Sequence, residues 1–189
     1  MIKKILVMLL WTFLSFPIMK SQELPDTKIY ETWGVSFEYP EDMEVKEGVE
    51  TFRFKNEQIK FLEAVVLSNE ENETSLVVAL FSSDALSNLE LKNLFMEYIT
   101  SLEKTENFYR IEPQNYNTPS GHIAWGLRFF KNELIGSTVV WYCDKSRNLF
   151  LLTSTAGWQK GSSSLPGFNM EEDPSYPGYK LAFDSFKCH

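Results

Sequence analysis

The chain has 189 residues, and its 26 acidic side chains outnumber its 18 lysines and arginines, so its net charge is −8. This acidity argues against nucleic-acid binding, which needs lysine and arginine to displace counterions from phosphates, and against electrostatic docking on anionic lipids. Hydrophobic residues make up 43% of the chain. That content and length are sufficient for a buried core without structural metals or several disulfides.

The N-terminal residues have the pattern of a secretory signal peptide. Lys3 and Lys4 form a basic head, and residues 5–18 form an almost uninterrupted apolar run. The run is shorter than the roughly 20 apolar residues that cross a bilayer, and its polar C-terminal flank suits cleavage after Ser21. An uncleaved membrane anchor is the alternative. We predict a signal peptide at 1–21 and an exported protein, either periplasmic or secreted, without strong membrane association after cleavage.

Removing residues 1–21 takes away three lysines and no acid, which leaves 15 basic and 26 acidic side chains and a net charge of −11. Residues 22–189 have the size of one ordinary domain, and residues 23–32 predict a polar lead-in.

The chain has two cysteines, Cys143 and Cys188. A disulfide between them is predicted because the compartment is oxidising. The alternative is two separate buried thiols, since free cysteine behaves as a small apolar residue.

The first half of the predicted domain has the pattern of β-strands. Residues 34–40 alternate apolar and polar side chains and end at a proline, which predicts a half-buried strand. Two short strands are predicted at 43–45 and 51–54. A stronger strand at 61–68 and its partner at 74–82 flank a charge-rich turn and predict a hairpin.

The clearest helix signal in the chain begins at Ser87. Ser87 and Glu90 form a capping-box pair, in which the serine hydroxyl accepts from a free backbone amide and the glutamate reaches back to the serine amide. Apolar residues then recur at helical spacing and form one continuous stripe: Leu91, Leu94, Phe95, Tyr98, Ile99 and Leu102. Such a stripe is typical of a helix that packs on a sheet.

Three β-rich segments in a row predict the central meander of an antiparallel sheet. They cover residues 123–130, 139–143 and 150–155 and are joined by short polar turns. A short strand is predicted at 108–111, between the helix and the meander, and residues 113–120 predict a loop.

The composition changes after residue 157. Residues 158–178 contain glycine, proline, a serine run and the acidic triplet 171–173, and they predict a long loop. Residues 179–186 predict a terminal helix. Four aromatic residues in or beside the loop are the candidate interaction residues: Trp158, Phe168, Tyr176 and Tyr179. The alternative is that these side chains fold back as a lid over the sheet.

Residues with catalytic or metal-binding chemistry are few. His122 lies at the start of the first meander strand and His189 is the last residue, and neither has a recognised metal-ligand spacing. Cys143 could in principle act with a histidine as nucleophile and base, but pairing with Cys188 better explains an exported thiol. No Gly-x-Ser-x-Gly elbow occurs. The sequence therefore predicts no catalytic residue, no metal ligand, no cofactor and no enzyme.

Three short motifs resemble the PsbP-like family and the related Mog-type fold. They are the strand at 34–40 (GVSFEYP), the strand at 150–156 (FLLTSTA) and the final segment at 183–187 (FDSFK). The order of short strands, a hairpin, one long helix and a three-strand meander is also similar. The resemblance implies an α/β/α sandwich and a non-catalytic accessory or binding protein. It transfers no functional residue, because the matched positions are structural.

The sequence thus predicts an α+β domain with a central antiparallel sheet of about six or seven strands flanked by helices. The favoured function is an exported, non-catalytic interaction domain that uses a sheet edge or the loop at 158–178 to bind a protein partner. The alternative is a protein that uses this loop to bind a small ligand or, weakly, a cation at the acidic triplet. An uncharacterised hydrolase is less favoured, because no convincing nucleophile and base are present.

Overall fold

The computed structural model describes residues 26–32, 34–49, 51–104, 108–157 and 175–189. Within these ranges the chain forms two antiparallel sheets and two helices. Neither helix combines the length and the apolar character that a membrane span requires. The predicted α+β class, with a central antiparallel sheet flanked by helices, is confirmed.

The elements follow one another along the chain in this order: β1 (Thr27–Thr32), β2 (Val35–Pro40), β3 (Glu44–Glu47), β4 (Lys60–Asn69), β5 (Thr74–Ser82), α1 (Asn88–Glu103), β6 (Phe108–Arg110), β7 (Gln114–Asn117), β8 (Ile123–Lys131), β9 (Leu134–Cys143), β10 (Asn148–Gly157), α2 (Tyr176–Ser185) and β11 (Lys187–Cys188). The larger sheet has eight strands in the order β3-β4-β5-β10-β9-β8-β6, and β7 also pairs with β8. The smaller sheet has the order β1-β2-β11.

Strands β5, β10 and β9 form the centre of the larger sheet. Leu151 of β10 lies between Ala79 of β5 and Val140 of β9, and both pairings extend over nine or more residues. These strands are buried almost throughout, because both faces of the sheet are covered. Successive side chains point to opposite faces, so the sheet separates two cores. The predicted meander and the predicted hairpin of β4 and β5 are confirmed.

Helix α1 covers one face of the larger sheet and packs on β8 and β9. Its capping box is present, with the Ser87 hydroxyl accepting from the Glu90 amide and the Glu90 carboxylate accepting from the Ser87 amide. The predicted stripe is buried, apart from Leu102, which is half-buried. The Tyr98 hydroxyl also forms a buried hydrogen bond of 3.1 Å with Thr153 Oγ1 of β10. Burial and polar contacts such as this one therefore hold α1 on the sheet.

The opposite face is covered by α2 and the smaller sheet. Alternate residues of β2 point inward, as the sequence predicts, and α2 packs on β2, β9 and β10. Ser185, the last residue of α2, joins the helix to the smaller sheet, because its hydroxyl accepts from the Glu38 amide of β2 at 2.7 Å. Trp141, Phe150 and Phe186 pack together at the centre of this core, with ring centroids 4.6–5.6 Å apart.

Several local predictions differ from the structure. The polar lead-in contains the strand β1, and the loop at 113–120 contains the strand β7, because both are edge strands with mostly exposed side chains. The prediction of a strand at 51–54 is wrong. The aromatic residues of this segment pack into the core between α1 and the larger sheet, but its backbone pairs with no strand. Helix α2 begins at Tyr176, so the predicted loop at 158–178 extends too far at its C-terminal end.

Candidate functional site

Helix α2 presents a row of aromatic rings to the larger sheet. The sequence favours a helix start at this point, because proline is common in the first turn of a helix and Pro177 lies there. Tyr176, Tyr179 and Phe183 have the spacing i, i+3 and i+7, which places them on one side of the helix. Their rings are stacked along the helix, with centroids 6.2 Å and 6.0 Å apart.

A pocket with a volume of about 330 Å³ lies between this aromatic row and the strands β7, β8 and β9. Tyr116 of β7 forms the opposite wall, and its ring meets Phe183 edge to face at 5.8 Å. The surface inside the pocket is mainly apolar. The side chains that define its character are Tyr116, Arg128, Ser137, Tyr176, Tyr179 and Phe183.

Two polar residues of neighbouring strands form the floor of the pocket. Arg128 of β8 and Ser137 of β9 are cross-strand partners, and both are almost fully buried, at 2% and 3% exposure. Among the described residues, no hydrogen-bond partner reaches the Ser137 hydroxyl. Since a buried hydroxyl without a partner loses free energy, Ser137 offers a hydrogen bond to a group that enters the pocket.

The two phenols beside the pocket are neutral hydrogen-bonding groups. Tyr116 Oη and Tyr179 Oη lie 3.3 Å apart and share a hydrogen bond. Burial raises the pKa of Tyr116 to about 12. Burial, followed by the neighbouring Tyr116, raises the pKa of Tyr179 well above its ordinary value. Both phenols therefore stay protonated at neutral pH, and neither supplies a base.

The rim of the pocket carries one ion pair of α2. Lys180 and Asp184 are four residues apart and their side chains form a hydrogen-bonded pair. The hydrogen bond to Asp184 and the carboxylate charge raise the pKa of Lys180. Both side chains are exposed to solvent, so this ion pair contributes little to stability. It places charged groups at the entrance of the pocket.

The comparisons with known proteins concern the whole fold. No protein-family model matches the sequence, and no curated protein matches it. The solution structure of cyanobacterial PsbP (CyanoP) from Synechocystis sp. PCC 6803 superimposes with a TM-score of 0.53 at 12% identity, over 92% of this chain and 99% of that one. The crystal structure of the Saccharomyces cerevisiae Ran-binding protein Mog1p gives 0.53 at 12% identity, over 87% and 96%.

The fold is of the PsbP/Mog1 type. At this low identity the likeness concerns the fold alone, and it confirms the resemblance that the sequence motifs indicate. In this PsbP/Mog1-type fold the first motif, residues 34–40, covers β2. The second, residues 150–156, lies in β10, and the third, residues 183–187, joins the end of α2 to β11. The first and third motifs therefore lie in the elements that cover one face of the larger sheet, and the second lies at the centre of that sheet.

The predicted disulfide links the larger sheet of this PsbP/Mog1-type fold to the smaller sheet. Cys143 at the end of β9 is bonded to Cys188 of β11, with Cα atoms 6.6 Å apart. The structure also brings His122 to this bond, with its Nε2 3.5 Å from the Cys188 sulfur. The other histidine, His189, contacts Ser36 Oγ through its Nε2 at 3.0 Å. The sequence did not indicate that His122 lies beside the disulfide.

The candidate interaction residues have different positions. Tyr176 and Tyr179 both line the pocket from α2; Tyr179 lies on a helix as predicted, whereas Tyr176 was predicted on the loop. Tyr179 is buried in the core, and Tyr176 is half-buried. Trp158, Phe168 and the acidic triplet at 171–173 lie outside the described residues, so their roles stay predictions.

Sequence reasoning missed the wall and the floor of the pocket. Tyr116 lies in a segment predicted to be a loop. The sequence pattern of the first meander strand gives Arg128 no role beyond that of an alternating strand residue. Their positions depend on register, since Tyr116 pairs with Ala124 and Arg128 with Ser137. The one local signal was an arginine inside an otherwise apolar strand, because arginine is rarely buried without a specific role.

Proposed function

We propose that this protein is an exported, non-catalytic binding protein that receives an apolar group of a protein partner in the pocket beneath α2. The pocket is the observation that carries this proposal. Aromatic rings on a rigid helix and a facing strand surround a preformed space, and interface hot spots commonly consist of an apolar anchor in such a pocket. Tyr176 and Tyr179 then contact the bound group with the parts of their rings that line the pocket.

The size of the pocket favours a single side chain as its occupant. Small-molecule sites commonly measure roughly 300–1,000 Å³, and the volume of about 330 Å³ lies at the lower end of that range. One aromatic or branched aliphatic side chain fits such a space and would contact the aromatic walls. A partner contributes further contacts around the exposed rim at Lys180 and Asp184.

The chemistry of the lining supports binding rather than catalysis. Both phenols are protonated at neutral pH, and the aromatic walls interact by contact and edge-to-face packing. A protein of the same fold is a Ran-binding protein by name, which agrees with a protein partner for this fold.

Export is supported by two features. Residues 1–21 have the composition of a signal peptide. The disulfide between Cys143 and Cys188 is typical of oxidising compartments, because cytosolic thiols are kept reduced.

Affinity capture from an extract of the cell envelope tests the proposal. Ser137→Leu fills the pocket from its floor, whereas Tyr109→Ala removes an exposed ring of β6 that lies outside the pocket. We expect the wild type and Tyr109→Ala to retain the same partner and Ser137→Leu to lose it. Circular dichroism and a melting curve confirm that each variant is folded. Equal recovery with folded Ser137→Leu would overturn the assignment of the pocket.

A second candidate is a small apolar ligand with an acidic end, and the floor of the pocket favours it. Arg128 supplies a buried positive charge and Ser137 a hydrogen bond, opposite the aromatic walls. Anilinonaphthalene sulfonate has this combination of aromatic body and anionic group and fluoresces when bound. Saturable binding by the wild type that is lost in Ser137→Leu supports this candidate when no partner is captured. Fluorescence that is equal in both proteins would exclude the pocket as its site.

A further inference from the structure

Three side chains with metal-binding atoms converge at the disulfide. The nitrogen of His122 and the sulfurs of Cys143 and Cys188 all lie within 4.8 Å of one another. We propose that reduction of this disulfide creates a binding site for a thiophilic cation such as Zn²⁺, held by two thiolates and one imidazole. The disulfide then acts as the closed state of a redox-controlled metal site.

One distance in the closed state, between His122 and Cys188, already matches that of a metal site. Zinc binds thiolate at about 2.3 Å and imidazole at about 2.0–2.1 Å, so a tetrahedral ion separates sulfur from nitrogen by about 3.5 Å. The separation between His122 Nε2 and the Cys188 sulfur is 3.5 Å. Two thiolates on such an ion lie about 3.8 Å apart. Reduction lets the sulfurs separate, and the Cα distance of 6.6 Å leaves room for this without moving the strands.

Each ligand is held by a different element of the fold. His122 is held in a turn, because its amide donates to Thr118 Oγ1 at 3.0 Å and its carbonyl accepts from the Thr118 amide at 2.8 Å. Cys143 is fully buried at the end of β9, and Cys188 pairs with Val35 in the smaller sheet. The three atoms therefore converge only in the folded chain, so metal binding would stabilise the fold.

The donor set defines the kind of ion and its remaining ligand. Two thiolates and a neutral imidazole suit soft or borderline ions such as Zn²⁺, whereas Ca²⁺ and Mg²⁺ prefer oxygen ligands. His122 and Cys188 are half-buried, so water has access to the fourth position of a tetrahedral ion. Three protein ligands and one water are the arrangement of zinc sites that keep an open position.

The redox step requires a thiol reductant and is balanced by two electrons and two protons. Two reductant thiols become one disulfide, while the bond between Cys143 and Cys188 breaks and each cysteine receives a proton. On metal binding both cysteine thiols release their protons, and His122 binds through its unprotonated Nε2.

Titration of the full-length protein with Zn²⁺ tests the proposal. The protein is treated with a chelator, reduced with a phosphine or left oxidised, and titrated in the presence of a chromophoric zinc indicator. We expect the reduced protein to bind one equivalent of zinc at least about 100-fold more tightly than the oxidised protein, since oxidation removes both thiolate ligands. Substitution of Co²⁺ should add a thiolate charge-transfer absorption band.

Two histidine variants separate this site from non-specific binding. His122→Ala removes a ligand and should weaken zinc binding by the reduced protein at least about tenfold. His189→Ala removes the other histidine, which contacts Ser36 instead, and should leave the affinity unchanged. Circular dichroism and re-formation of the disulfide after metal removal show that each variant is folded. Equal affinity in the oxidised and reduced proteins, no stoichiometric binding after reduction, or an unchanged affinity in His122→Ala would overturn the proposal.

Discussion

Replacement of Phe95 by alanine tests how α1 is held on the sheet. Phe95 has no exposed surface and lies in the core between α1 and the larger sheet. A buried aromatic side chain covers roughly 150–250 Å², and at about 25 cal/mol per Å² this gives an upper limit of about 4–6 kcal/mol. Measured costs for Phe→Ala in cores are about 3–5 kcal/mol. Alanine favours a helix by about 0.5 kcal/mol relative to phenylalanine, so we expect a loss of about 2.5–4.5 kcal/mol.

Urea unfolding monitored by circular dichroism measures this loss. The matched control is Leu89→Ala, which removes an apolar side chain from the same helix at a position that is 67% exposed. The control should change the free energy of unfolding by less than about 0.5 kcal/mol. The reasoning would be refuted if Phe95→Ala lost less than about 1 kcal/mol, or if the two variants were equally stable.

Three further changes are expected to alter stability. Cys188→Ser should lower the free energy of unfolding by about 4 kcal/mol, because its bond to Cys143 closes a loop of sequence separation 45; equal urea midpoints for variant and wild type would contradict this. Hydrogen bonds from Ser87 lower the pKa of Glu90 from 4.5, so the bonds stabilise the fold above this pH and are lost as the pH falls through the lowered pKa. The cost of Glu90→Ala in urea titrations should therefore be larger at neutral pH than in acid. Gly136→Ala should cost about 1–3 kcal/mol in melting experiments, since its methyl group would overlap a backbone carbonyl of β10.

The elements that the sequence predicts best are those with strong local signals. The capping box at Ser87 and the apolar stripe after it define α1 without any long-range information. The meander is similarly clear, because β9 and β10 are β-rich and are joined by a short polar turn. In both cases the spacing of the apolar residues predicts which side chains are buried.

The missed strands lack such a signal. Strand β1 is mostly exposed and polar, so no apolar alternation distinguishes it from a loop, and its place follows from pairing with β2. Strand β7 is similar and becomes a strand through β8. Residues 51–54 show the opposite error, because their apolar side chains pack into a core without any ladder. Edge strands depend on their neighbours more than on their own sequence.

The candidate sites depend even more on long-range placement. The aromatic residues of α2 can be recognised in the sequence. Their contact with the facing strand cannot, because Tyr116 and Tyr179 are 63 residues apart along the chain. His122 and Cys188 are 66 residues apart. No spacing rule connects such positions, because the register of the larger sheet and the docking of β11 bring them together. The sequence therefore predicted the disulfide and singled out two aromatic residues that line the pocket, but it indicated neither the pocket nor the histidine beside the sulfur atoms.

The central claim is that the pocket beneath α2 binds an apolar group, and nuclear magnetic resonance tests it most directly. Backbone amide shifts of the full chain are recorded during a titration with anilinonaphthalene sulfonate. We expect the largest saturable changes at Tyr116, Tyr176 and Phe183, and we expect Ser137→Leu to abolish them while Tyr109→Ala retains them. Changes confined to other surfaces, or equal changes in folded Ser137→Leu, would contradict the claim.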